Sequence, residues 1–147
     1  MKRAWLLIAA PVMLLTAALV AADIKLEGIK CLVADSKAAN AERSADYKGG
    51  KVFFCCDGCK GNFTKDTAKF ASKANLQLVL TKQAKQEKCP MSGGPVDADQ
   101  SVDVAGVKVS FCCDGCKGKV ESADPKERIN LVFNDKAFDK GFKVEKK

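Results

Sequence analysis

The 147-residue chain contains no histidine. Its absence removes the one side chain that ordinarily titrates near neutral pH, so any mechanism built on an imidazole base is excluded. Tryptophan and tyrosine occur once each, and the 25 lysines and arginines are scattered rather than gathered into a stripe with aromatics. The footprint of a nucleic-acid binder is therefore missing, and the formal charge of +7 reads as a solvated positive surface. Carboxylates offer no pair at a spacing suited to acid and base catalysis, and Asp57 and Asp114 look like turn aspartates that cap their own backbone. The length also excludes a large multidomain enzyme.

Long apolar runs are confined to the start. Lys2 and Arg3 precede an apolar run from Ala4 to Ala22, broken only by Thr16, which ends on Val20, Ala21 and Ala22 just before Asp23. Residues 1–22 are expected to be a secretory signal peptide cut after Ala22. The nineteen residues from Ala4 to Ala22 approach the length of a membrane span, so an uncleaved anchor is the competing reading. Pro11 and the small residues at the end favour cleavage, and no cysteine beside the cut invites a lipid anchor. The expectation is a periplasmic or secreted protein of 125 residues and charge +5, with no stable membrane insertion once the leader is removed.

What remains is dominated by eight cysteines in two sets of four: Cys31, Cys55, Cys56 and Cys59, then Cys89, Cys112, Cys113 and Cys116. Lys51 to Phe63 recurs as Lys108 to Val120 with three differences in thirteen positions and an offset of 57. This is an internal duplication. Cys31 lies 24 residues before Cys55 and Cys89 lies 23 before Cys112, so each copy carries one complete set. The expected organisation is a first module over residues 23–82 and a second over 83–147 that ends in a lysine-rich tail. Units of about 60 residues bury too little apolar surface to be comfortable alone, which makes cross-links through metal or sulfur physically expected.

The expected class is α+β, each module a β-hairpin with a cysteine knuckle followed by a helix. Tyr47 to Lys51 and Val104 to Lys108 read as glycine-opened hairpins leading into strands at Val52–Phe54 and Val107–Phe111. Gly58 and Gly115 are expected to take positive φ in tight turns that draw the sulfurs together. Phe63, Thr67, Phe70 and Ala74 predict one helix over about 60–74, followed by a strand at Leu76–Leu80 and a polar connector at Thr81–Lys88. Pro125 predicts a helix start. Ile129, Leu131 and Phe133 fit either a strand or a continuing helix, and Phe138 and Phe142 suggest a short terminal helix.

Several thiolates converging on one point can hold a soft ion. Cys31 with Cys55 and Cys59, and Cys89 with Cys112 and Cys116, meet that demand if the upstream cysteine folds back. The adjacent Cys56 and Cys113 are harder to place, because neighbouring side chains on a strand face opposite ways. If the chain bends there, four thiolates suit Zn2+; if only three converge, the site suits Cu+, with Met91 as a thioether candidate in the second copy and Val33 in its place in the first. A fully thiolate zinc site leaves no activated water, so binding rather than catalysis is expected. Two other readings stay open. A secreted chain with eight cysteines can be a disulfide-stapled interaction module, for which 105 pairings exist. The spacing of Cys56 to Cys59 and of Cys113 to Cys116 also fits a thiol-disulfide redox protein, although the βαβ pattern expected around such a motif is missing.

The second copy runs Cys89, Pro90, Met91, Ser92, Gly93, Gly94, Pro95, Val96, then a Gly-Lys hairpin, Phe111, Cys112, Cys116 and Asp124-Pro125. This resembles the YHS and TRASH-like heavy-metal-binding modules. The first copy keeps Cys31, Tyr47 to Lys51, Phe54 to Cys59 and Phe63, but lacks the Pro-Met-Ser-Gly-Gly stretch. The resemblance covers roughly residues 29–74 and 87–129. It implies treble-clef or zinc-ribbon-like modules with Cys31, Cys55, Cys59, Cys89, Cys112 and Cys116 as ligands, in a protein that binds or senses metals. Cys56 and Cys113 are additions to that pattern. A metal-donor or metal-acceptor protein is the partner it suggests. A second copy of the chain, completing a three-ligand site as a homodimer, is another.

Overall fold

The computed structural model describes residues 24–145, so the expected leader lies outside the described residues. Those residues form an α+β protein of three two-stranded antiparallel sheets and five α-helices. Strand β1 (Asn40–Tyr47) pairs with β2 (Gly50–Phe54), and β4 (Asp97–Val104) pairs with β5 (Val107–Phe111). Each hairpin is closed by two residues of positive φ: Lys48 and Gly49 at 49° and 86°, Ala105 and Gly106 at 54° and 85°. That is the mirror-image turn whose twist matches paired strands, and glycine occupies its second position without steric cost. Both hairpins also carry a register shift, between Asn40 and Ser44 and between Asp97 and Ser101, so the duplication extends to an irregularity that bends the outer strand.

The segment after the first hairpin differs from the expected single helix. Helix α1 (Asp57–Lys65) stops at Asp66, whose backbone leaves the helical region at φ −144° and ψ 76°. Its carboxylate instead accepts from the Lys69 amide at 3.1 Å, starting a 3-10 turn (Ala68–Phe70) that leads into α2 (Ala71–Leu80). Phe63 and Phe70 still meet, ring centroids 6.5 Å apart, which explains why their spacing imitated one continuous face. The strand expected at Leu76–Leu80 is the second half of α2. A short apolar run cannot be told from a helix buried on several sides, and α2 buries Ala71 and every residue from Ala74 to Leu78.

Helix α3 (Asp114–Glu121) follows β5 as α1 follows β2, and α4 (Pro125–Phe133) begins at the expected proline. The Asp124 carboxylate caps it by accepting from the Lys126 and Glu127 amides, both at 3.0 Å. Ile129, Leu131 and Phe133 are therefore helical. The lysine-rich end is built into the fold as far as Glu145. Helix α5 (Asp135–Gly141) buries Phe138, and β6 (Phe142–Val144) pairs with β3 (Ala84–Gln86), a strand inside the stretch expected to be a connector.

One core joins the repeats. It includes Val52, Phe54, Phe63 and Leu78 from the first and Val109, Phe111, Val120, Phe133 and Phe138 from the second. Helix α2 packs on β2, α4 and α5. The turn of the first hairpin docks on α5, where Lys48 Nζ meets Asp139 at 2.6 Å and Asp135 at 3.1 Å, and the Tyr47 hydroxyl donates to Asp135 at 3.1 Å. The turn of the second hairpin returns the contact, with Gly106 lying against Leu80.

Glutamines cover the strand edges. Gln83 accepts from Lys51 N and donates to Lys51 O, both at 2.7 Å, and Gln86 does the same for Ser110 at 2.9 and 2.6 Å. A side-chain amide presents the same donor and acceptor as a peptide, so each satisfies an edge that would otherwise invite another strand.

Candidate metal centre

The first cluster is assembled at a strand-to-helix corner. β2 delivers Cys55, Cys56 makes the corner in an extended conformation (φ −157°, ψ 167°), and α1 begins at once, placing Cys59 in its first turn. Cys113 repeats the corner with φ −166° and ψ 166°. Gly58 and Gly115 are helical, not the positive-φ hinges expected from the sequence; the positive-φ glycines are Gly28, Gly49, Gly93 and Gly106. Extended backbone at the preceding cysteine does the turning instead.

Cys31 is brought in by a loop held on itself, Cys31 N donating to Lys37 O at 2.8 Å and Ala39 N to Ile29 O at 2.9 Å. Gln77 of α2 fastens that loop to β2. Its buried amide accepts from Phe53 N at 2.7 Å and donates to Phe53 O at 3.1 Å and to Lys30 O at 3.0 Å, immediately before Cys31. The sulfurs of Cys31, Cys55 and Cys59 consequently lie within 4.8 Å of one another, Cys55 and Cys59 at 3.7 Å.

The second cluster uses a different fastening. Cys89 N donates to Gly94 O at 2.9 Å and Gly93 N to Cys89 O at 2.7 Å, a tight loop that needs Gly93 at φ 78°. The loop is backed by the chain end: Gly141 O accepts from Glu87 N at 2.8 Å and from Lys88 N at 3.0 Å. Cys89, Cys112 and Cys116 also fall within 4.8 Å of one another, Cys112 and Cys116 at 3.7 Å. The Ser92 hydroxyl donates to Cys112 Sγ at 3.2 Å.

The predicted ligands thus divide three to one in each repeat. Cys31 and Cys89 are buried, the pairs Cys55/Cys59 and Cys112/Cys116 are half-buried, and Cys56 and Cys113 are exposed. Cys56 and Cys113 stand outside the converging sets, each with its sulfur 3.7 Å from the preceding cysteine. All eight are free thiols. Two sulfurs about 2.3 Å from a shared ion stand about 3.8 Å apart in tetrahedral and about 4.0 Å apart in trigonal geometry. The observed pairs need almost no rearrangement to receive one.

Electrostatics grade the sulfurs. Burial raises the Cys31 thiol, but the amides of Ala34, Cys55 and Val33 outweigh it and hold the group below the ordinary thiol range. Ala34 N lies 3.4 Å from its sulfur. Cys89 is likewise opposed by burial, yet the Ser92 hydroxyl and the Ser92, Cys112 and Met91 amides bring it down to about 7. Cys59 and Cys116 go the other way, pushed up to about 12 by burial and then by the neighbouring sulfurs. Each cluster holds one thiol ready to ionise deep inside and one that keeps its proton until something displaces it.

Gln77, Ser92 and Gly141 position these sulfurs and were not found from the sequence; a buried glutamine and a glycine without positive φ leave no pattern there. Gln77→Ala should leave the Phe53 and Lys30 groups without partners at about 1–3 kcal/mol each, and metal titration should show weaker binding at the first site with the second unchanged. Gly141→Ala should do the converse. A Cβ at Gly141 would stand 2.8 Å from Pro90 Cα and 2.9 Å from Lys88 O, both backbone, so the Cys89 loop must move and the second site should weaken in the same titration. Comparisons with family models, with curated proteins and with solved structures find no match to the chain.

Proposed function

We propose that this is an exported metal-binding protein that holds one soft ion per repeat on cysteine thiolates, for storage or transfer. The observation that carries the reading is the meeting of three sulfurs from distant parts of the chain, built twice by different fastenings. Three thiolates match Cu+, which accepts low coordination, better than Zn2+, which in structural sites takes four. The resemblance to tandem YHS and TRASH-like modules agrees with this role, and the leader-like start favours the periplasm or the exterior. An ion enclosed by thiolates leaves no activated water, so the role proposed is binding and not catalysis. Its partner would be a protein that donates or accepts the ion.

Anaerobic purification followed by metal analysis and thiol counting tests the proposal. The expected result is two equivalents of Cu+ bound, with zinc taken up more weakly in competition, and eight reactive thiols after the ion is removed. Disulfides in place of thiols, or thiols that take up no ion, would overturn it. Loading near neutral pH should also release protons, because Cys59 and Cys116 are protonated there, their thiols sitting at about 12. Protons and ion compete for those sulfurs, so affinity should fall as pH is lowered, measured with a colorimetric chelator.

A further inference from the structure

The fourth cysteine of each repeat is left over when the converging sets are complete. The Cys55–Cys59 pair, 3.7 Å apart, has two further sulfurs for neighbours. Cys31, 1% exposed, joins it to form the converging set. Cys56, exposed and 3.7 Å from Cys55, stays outside that set. The second repeat has the same arrangement, with Cys89 at 0% exposure and Cys113 exposed, 3.7 Å from Cys112. An ion held by another protein or by a small thiol is never free; it moves only when an entering sulfur binds before the departing one lets go. Cys31 and Cys89 cannot be the entering groups, because no donor reaches them. Cys56 and Cys113 stand where a donor arrives.

We propose that Cys56 and Cys113 are transfer ligands, which capture an arriving thiolate-bound metal ion and pass it to the buried sulfur across the shared pair. The inference rests on the metal-holding reading above. In the first step the bond from the ion to the donor sulfur breaks as a bond to Cys56 Sγ forms, and the proton leaving Cys56 goes to the departing thiolate. In the second the ion settles on the shared pair, bonds to Cys55 Sγ and Cys59 Sγ forming as those two thiols give their protons to any remaining donor thiolate or to water, and the bond to Cys56 breaks as one to Cys31 Sγ forms, Cys56 recovering the proton that Cys31 gives up. The ion keeps its oxidation state throughout, and release runs the same steps backwards.

Two measurements on the full chain test this, with Cu+ supplied as its glutathione complex. Wild-type protein loaded with Cu+ and treated with N-ethylmaleimide should be modified at Cys56 and Cys113 alone, with both ions retained. The Cys56→Ser/Cys113→Ser protein should bind two ions with an unchanged dissociation constant but exchange them with glutathione about tenfold more slowly, as expected when a tethered ligand's effective concentration is removed. Protection of Cys56 and Cys113 in the loaded protein, or weaker binding by the double variant, would make them resident ligands and overturn the inference while leaving the metal-holding role intact. Wild-type exchange rates in the variant would overturn it too. Failure of the wild-type chain to bind Cu+ at all would remove both.

Discussion

Cys31→Ser protein should bind one metal ion where the native chain is expected to bind two, and Cys89→Ser should do the same from the other side. Each replaced residue is the buried member of its set and the one drawn from far along the chain. Serine keeps the volume of the side chain nearly unchanged but offers a hard hydroxyl that a soft ion does not favour, leaving two sulfurs where three converged. The intact second site serves as the internal control, since Cys89, Cys112 and Cys116 are fastened by Gly93, Gly94 and Gly141 and not by the Cys31 loop. Metal-to-protein ratios after gel filtration measure the outcome. Loss of both ions from either single variant would mean one shared cluster in place of two independent sites.

Leu78→Ala should unfold the whole chain more easily and in one transition. Leu78 is fully buried on α2, the helix that packs against β2 on one side and against α4 and α5 on others. Truncating a buried leucine costs about 2–5 kcal/mol, a large part of the roughly 5–15 kcal/mol that holds a domain folded. Because the core runs through both repeats, urea unfolding followed by circular dichroism should show one transition moved to lower denaturant, with its slope kept. Two separated transitions would show the repeats to be independent, and the core would then be an interface between them.

The parts of the molecule legible in the sequence were those set by local chemistry or by duplication. The hairpins announced themselves through Gly49 and Gly106, α4 through Asp124 and Pro125, and the two converging cysteine sets through an offset that paired Cys31 with Cys55 and Cys59 as it paired Cys89 with Cys112 and Cys116. The parts that were not legible depend on residues far apart. Leu76 to Leu80 has a composition that suits a strand, and only burial by both repeats makes it helix. Ala84 to Gln86 is polar and unremarkable until Phe142 to Val144 lies beside it. Gln77 and Gly141 reveal their roles only when the carbonyls and loops they hold are in place. Cys56 could not be assigned because the direction of its side chain depends on a corner whose sharpness the sequence did not state.

The pairing of β3 with β6 sets an order on events during synthesis. Ala84 to Gln86 finds its partner strand only at Phe142 to Val144, and Phe138 and Phe142 fill the core beside Phe133 with ring centroids 5.3 and 5.4 Å apart. These residues are still inside the ribosome when the first hairpin has long since emerged. The nascent chain therefore has no complete hydrophobic interior until Phe142 to Val144 has been made, so the first repeat cannot close its core ahead of the second.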